Sequence, residues 1–189
     1  MKKLIYSAFI FSALIMTACG GEKKEEGKKE EKKPVSDETK AKFDALKTDW
    51  AAVDGMVQTL DGVLLLHDPD QVTNYIDSLK GVVEKTKKEV KVQALPLLDS
   101  LTAINELSRE WKSVIEGEKE TWGMITEDFT KVNTEIEKGE GDDTKIAPRA
   151  EGFTEQFNYK KSVLGPIIGQ WTRMEANDKA LNDLLAPAK

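Results

Sequence analysis

Few side chains in this sequence have the types and spacing that catalysis or metal binding needs. The chain of 189 residues contains one cysteine, Cys19, and one histidine, His67. A single histidine cannot build a cage of histidines and carboxylates around a metal, nor the paired Glu-x-x-His motifs of di-iron helical bundles. The sequence also has no Cys-x-x-Cys-His haem motif and no glycine-rich phosphate loop. We therefore expect a protein that is not an enzyme, with no catalytic residue, no metal and no cofactor.

Cys19 stands between two segments of opposite character. Before it, two lysines and an uncharged apolar run at residues 4–16 have the layout of a secretory signal peptide. The sequence MTAC at residues 16–19 resembles the lipobox of bacterial lipoproteins. In that family the cysteine thiol receives a diacylglyceryl group, the signal peptide is cut before the cysteine, and the new amino terminus is acylated. The resemblance implies that residues 1–18 are removed and that Cys19 carries the lipid, including a fatty acid such as palmitate.

The segment after Cys19 is made almost wholly of charged residues and glycine. Residues 22–33 contain six lysines and five glutamates, so they cannot bury a core. We predict that residues 19–35 form a disordered tether, although Glu-Lys pairs also permit a fluctuating helix. Gly20 differs from the aspartate that retains lipoproteins in the inner membrane in enteric-type sorting, and Lys24-Glu25-Glu26 resembles surface-export signals. These resemblances imply lipid anchoring in the bacterial outer membrane, on its periplasmic face or at the cell surface.

The rest of the chain is acidic. Residues 34–189 carry 20 basic and 29 acidic side chains, a net charge of −9. An acidic domain repels phosphate backbones, so we expect no nucleic-acid partner.

Apolar residues in residues 36–189 recur at alternating steps of three and four, which predicts long amphipathic helices. Ser36 is expected to cap the first helix, and the sequence HDPDQ at residues 67–71 to end it, with Asp68 capping the second. The second helix is expected to end near Pro96, where a backbone donor is missing. A third helix then runs from about Pro96 to Lys138, and a fourth follows, with Asp143 or Thr144 expected as its cap.

Short turns predict that consecutive helices are antiparallel neighbours. The first two helices then pair Val57 with Leu79 and Val53 with Val83, and the last two pair Phe129 with Phe153 and Trp111 with Trp171. The fold class is thus predicted to be all-α, an antiparallel four-helix bundle of long heptad-patterned helices. The apolar stripe narrows beyond Trp122, and the first two helices are expected to be too short to reach that far. We therefore expect the third and fourth helices to project as a coiled-coil hairpin.

The turn of that hairpin, EKGEGDDT, is acidic. Its carboxylates Glu140, Asp142 and Asp143 are candidate contacts for a basic partner surface. Acidic residues at the start of a helix also serve as ordinary caps, so a simple solvated turn is the alternative.

Two polar residues interrupt the apolar seams. Glu118 and Lys160 are predicted to face each other near Trp122, where the turn at His67 should also arrive. A carboxylate, an ammonium, an imidazole and an indole together could hold a small polar ligand. The alternative is that Glu118 and Lys160 only satisfy each other where a core ends.

These observations predict a lipid-anchored envelope protein whose helical domain binds an envelope protein or polymer. One alternative is a structural tether, since the chain ends in Lys189 and the major murein lipoprotein also joins a terminal lysine to peptidoglycan. Another alternative is a solute-binding or sensory bundle that uses the Trp122 junction.

Overall fold

A computed structural model describes residues 32–186 of the chain. Within this range every regular element is a helix, which confirms the all-α fold class. The structure has five helices: α1 (Asp37–Leu66), α2 (Pro69–Val83), α3 (Lys88–Ser108), α4 (Trp111–Glu137) and α5 (Asp143–Leu185). Residues 1–31 and 187–189 lie outside the described range. The predicted signal peptide, the lipid attachment at Cys19, most of the tether and Lys189 therefore belong to that undescribed part.

In one half of the domain, α1, α4 and the beginning of α5 pack against one another. The ring of Phe43 in α1 lies 6.1 Å from that of Phe129 in α4 and 6.0 Å from that of Phe153 in α5. Further along, Trp50 stacks on Trp122 at 6.5 Å. As residue numbers rise in α1 they fall in α4, so these two helices are antiparallel, whereas α1 and α5 run in the same direction.

In the other half, α2, α3 and the end of α5 pack against one another. The side-chain amide of Asn105 in α3 donates to the carbonyl of Pro69 (3.0 Å) and to the hydroxyl of Thr73 (2.9 Å) at the start of α2. The hydroxyl of Tyr75 donates to Asp178 of α5 at 2.7 Å. Thus α2 continues in the direction of α1, and α3 precedes α4 in the opposite direction. α5 crosses both halves.

The domain is consequently a long rod in which three rows of helices lie side by side. The first row is α1 followed by α2, the second is α3 followed by α4, and the third is α5 alone. The 43 residues of α5 correspond to about 65 Å at 1.5 Å per residue. The chain enters at one end of this rod, beside the α4–α5 turn, and the α2–α3 turn forms the other end. The predicted four-helix bundle is not confirmed, because α2 packs on α3 rather than folding back along α1.

The projecting hairpin is not confirmed either. α4 and α5 do pair around their turn, and the predicted neighbours Phe129 and Phe153 (5.1 Å) and Trp111 and Trp171 (6.5 Å) are confirmed. However, α1 covers this pair to its end: the amide of Ser36 donates to the Asp143 carboxylate (2.9 Å), and the Asp143 amide donates to the carbonyl of Lys33 (2.9 Å). Val35 is buried in the same place, so the final residues of the predicted tether are ordered.

Local capping rules predicted some helix ends and missed others. Ser36 caps α1 by accepting from the Thr39 amide, and Asp68 caps α2 with Pro69 in its first turn, as predicted. The predicted cap at Asp143 or Thr144 is wrong by one residue, because Asp142 caps α5. The predicted third helix is two helices, α3 and α4.

The predicted boundary at Pro96 is also wrong, because α3 begins at Lys88 and runs through Pro96. The proline ring is exposed, and so is Val92, whose carbonyl loses its helical donor. Water can hydrate that carbonyl, which lowers the cost of an interior proline.

The α4–α5 turn depends on Gly139. Its φ is +67°, a left-handed conformation that favours glycine. The amide of Glu140 donates to the carbonyl of Glu135 (3.0 Å), and the amide of Gly139 to that of Ile136 (3.1 Å). This is a Schellman motif, which satisfies the last carbonyls of α4 and reverses the chain.

Candidate functional site

Lys160 and Glu118 form a buried ion pair between α5 and α4. The Lys160 side chain is 2 % exposed and that of Glu118 is 16 % exposed. The ammonium donates to the Glu118 carboxylate (2.5 Å), to the Glu118 backbone carbonyl (2.8 Å) and to the Thr121 hydroxyl. These bonds use all three ammonium protons. The pair is therefore self-sufficient, which is the second of the two interpretations that the sequence left open.

Trp122 is a core residue of the same half. Its ring lies 5.6 Å from that of Phe157 and 6.5 Å from that of Trp50. Its indole N–H donates to the Asp54 carboxylate at 3.0 Å. The indole is thus packed on its faces and satisfied at its nitrogen, with no free polar atom for a ligand.

His67 does not join this group. It lies where α1 meets α2, at the level of Trp111, and its ring is 5.5 Å from the ring of Trp111 and 5.4 Å from that of Trp171. The expected four-residue junction therefore separates into the Glu118–Lys160–Trp122 group and a second cluster around His67. The reason is the length of α1, which ends opposite the start of α4 instead of opposite its middle.

The hydrogen bonds around His67 define its tautomer. Its Nε2 lies 2.6 Å from the Ser108 hydroxyl oxygen, and that hydroxyl donates its one proton to the carbonyl of Asn105 (2.7 Å). Nε2 must therefore carry the proton and donate it to Ser108. The other ring nitrogen, Nδ1, is buried and has no hydrogen-bond partner among residues 32–186. Burial lowers the pKa of His67 below its ordinary value, and the nearby Asp68 opposes this effect less strongly.

This lowered pKa predicts a loss of stability in mild acid. The unfolded chain binds the His67 proton at higher pH than the folded chain. The contribution of neutral His67 to the free energy of unfolding is therefore complete above about pH 6.5 and declines as the pH falls below it. We expect the melting temperature to fall between about pH 7.5 and pH 5.5. In His67→Gln, whose amide can still donate to Ser108 but does not titrate, the fall should be smaller. An equal fall of the melting temperature in the two proteins would contradict the lowered pKa of His67.

Two of the three predicted contact residues in the acidic turn make hydrogen bonds within the chain. Asp142 accepts from the amide (3.1 Å) and hydroxyl (2.8 Å) of Thr144, and the hydroxyl bond is the main cause of its lowered pKa. The Asp143 carboxylate accepts from the Ser36 amide, and this bond is the main cause of the lowered pKa of Asp143. Glu140 is exposed. The carboxylates of Asp142 and Asp143 therefore stabilise this end of the rod.

A groove between α2, α3 and α5 was not predicted from the sequence. It encloses about 220 Å³, with Ile76, Leu101, Trp171 and Met174 along its apolar wall and Asp178 at its rim. Tyr75 lines it too, and its hydroxyl accepts from Asn182 (2.9 Å) while donating to Asp178. Tyr75 lies outside the predicted apolar seam of the second helix, and no other signal in the sequence marks this groove.

The described residues contain no group of three or more histidines, cysteines or carboxylates placed to hold a metal ion. None of the described helices combines the length and apolar character needed to cross a membrane. No protein-family model, curated protein or solved structure matches the chain. The function is therefore argued from the residues of this chain alone.

Proposed function

We propose that the protein is a lipid-anchored component of the bacterial cell envelope, most simply of the outer membrane, whose helical rod is a non-enzymatic interaction module. The lipobox-like sequence at residues 16–19 carries the anchoring part of the proposal, and the position of the chain entry carries the part that concerns the rod. Lys33 and Ser36 are held against Asp143 at one end of the rod, so a lipid on Cys19 would anchor that end. The α2–α3 turn would then stand about 65 Å from the anchored end, along the 43 residues of α5.

The interior of the rod supports binding by its surface rather than chemistry inside it. Lys160, Trp122 and Asp54 satisfy one another or their neighbours, so the predicted ligand junction offers no unpaired group. This weighs against a solute-binding bundle centred on Trp122.

Replacing Cys19 tests the anchor. We expect Cys19→Ser to appear as uncleaved precursor or soluble protein, without incorporated palmitate, whereas the unchanged protein enters the detergent phase. Several buried acyl chains hold a protein on a membrane essentially permanently, so the shift should be nearly complete.

Thr17→Ser is the matched control, because it alters the same motif without removing the thiol, and it should remain in the detergent phase. Detergent partitioning and palmitate labelling that persist in Cys19→Ser would refute the proposal.

A further inference from the structure

The α2–α3 turn gives the far end of the rod a charge opposite to that of the domain. Residues 84–91 contain four lysines and two glutamates, whereas residues 34–189 as a whole carry a net charge of −9. We call the four lysines the basic tip: Lys85, Lys87, Lys88 and Lys91. Within the described part of the chain no carboxylate lies within ion-pair distance of any of them, whereas nearby Lys80 pairs with Asp77 at 2.9 Å.

Large apolar side chains are exposed beside these lysines. Val92 is 63 % exposed, Leu95 is 44 % exposed and Val82, in the last turn of α2, is 46 % exposed. Lys88, Val92 and Leu95 follow one another at steps of four and three, so they share one face of α3. A cationic, aliphatic face at the end of a helical hairpin is unexplained by packing within the rod.

We propose that the basic tip docks on the surface of a bilayer that contains anionic lipids. Lysines near such a surface are attracted by its negative potential, and adjacent aliphatic side chains enter the headgroup boundary. Glu84 and Glu89 weaken the attraction but leave the tip net positive.

The size of the tip favours a bilayer over an acidic protein. A stable protein interface needs about 800 Å² and about 20 to 30 residues on each partner, whereas the tip offers four lysines and three exposed aliphatic residues. A soluble anionic polymer would be bound by the lysines but would give the aliphatic residues no apolar environment. A lipid surface accounts for both features.

This inference goes beyond the proposed function, because it does not require a lipid on Cys19. The test uses the chain from residue 19 to residue 189 with Cys19→Ser, so that no acyl chain contributes. Binding is measured by co-sedimentation with vesicles of phosphatidylcholine alone and with vesicles that also contain phosphatidylglycerol. We expect binding only to the vesicles with phosphatidylglycerol, weakening as salt is added.

Two variants with equal net charge locate the contact. In the tip variant, Lys85, Lys87, Lys88 and Lys91 are replaced by glutamine. In the control variant, four exposed lysines outside the tip are replaced in the same way: Lys112, Lys131, Lys138 and Lys145. At about fivefold per lysine, the tip variant should lose at least about 100-fold in vesicle affinity, while the control should lose much less. All variants keep the lysines of residues 23–33, so the tether contributes equally.

A third variant, Val92→Ser with Leu95→Ser, should also bind less while keeping all four lysines. Far-UV circular dichroism verifies that each variant is folded, and the changed side chains are exposed or only half-buried. Absence of binding to phosphatidylglycerol vesicles would overturn the proposal. Equal losses in the tip and control variants would also overturn it, since the net charge alone would then explain binding.

Discussion

Replacing Lys160 with methionine is expected to lower the free energy of unfolding by about 3 to 5 kcal/mol, the usual cost of breaking a buried ion pair. The variant leaves the Glu118 carboxylate, only 16 % exposed, without its cation. It also removes the donors that reach the Glu118 carbonyl and the Thr121 hydroxyl. Urea denaturation at neutral pH measures the change.

The neighbouring residue gives a matched control. Lys161 also pairs with a carboxylate, that of Asp49 at 2.5 Å, but both side chains are only partly buried, at 31 % and 44 % exposed. Lys161→Met should therefore cost about 1 kcal/mol or less. Adding Glu118→Leu to Lys160→Met should recover part of the loss, because the double variant buries no unpaired charge. If Lys160→Met cost no more than Lys161→Met, the pair would not be buried as described.

Phe157→Ala is expected to lower the free energy of unfolding by about 3 to 5 kcal/mol, as truncations of buried aromatic residues do. Phe157 is fully buried, and its ring lies 5.3 Å from that of Phe129, 5.6 Å from that of Trp122 and 6.0 Å from that of Phe153. Alanine leaves a cavity in the middle of the α1–α4–α5 half. The same denaturation experiment measures the loss.

Tyr159→Ala, two residues further along α5, is the control for removing an aromatic ring. Tyr159 is exposed and makes one long contact with Glu118, so its loss should cost about 1 kcal/mol or less. Equal costs for the two variants would show that the aromatic cluster does not form the core of this half.

Features set by neighbouring residues were the predictable ones. Ser36 and Asp68 were identified as caps because a side-chain oxygen beside a free helix amide is a local relationship. The register of Phe129 with Phe153 was also predictable, because the glycine-containing turn between the two helices centres their pairing on Gly141, midway between these residues. In that same register Lys160 faces Trp122, which lies one helical turn from Glu118 on α4.

The direction of α2 was not predictable in this way. Asp68 and Pro69 mark where a helix starts, but they do not fix its angle to the helix before it, and the apolar seams of α1 and α2 match in either arrangement. The real reversal is at residues 84–87, Glu-Lys-Thr-Lys, which contain neither glycine nor proline. Competition between partners decides the outcome: α1 buries its aromatic residues against those of α4 and α5, and α2 is left to pack on α3.

That error explains why the candidate site was only partly predicted. The position of His67 depends on how far α1 extends along α4, which is a property of the whole packing. The Tyr75–Asp178 contact likewise joins residues that are distant in sequence, and Tyr75 lies outside the predicted apolar seam of its helix. The cationic character of residues 84–91 was visible in the sequence, but its place at the end of the rod was not.

The two interruptions in the rod lie side by side. The break between α1 and α2 at His67 contacts Ser108 at the end of α3, and Arg109, in the break between α3 and α4, pairs with Asp70 at 2.8 Å. At this level α5 is the one row of the three that continues unbroken, and its Trp171 lies against His67. A sideways load on either end is therefore resisted by three helices along each half but by a single continuous helix at the middle, so the rod has its mechanical joint there.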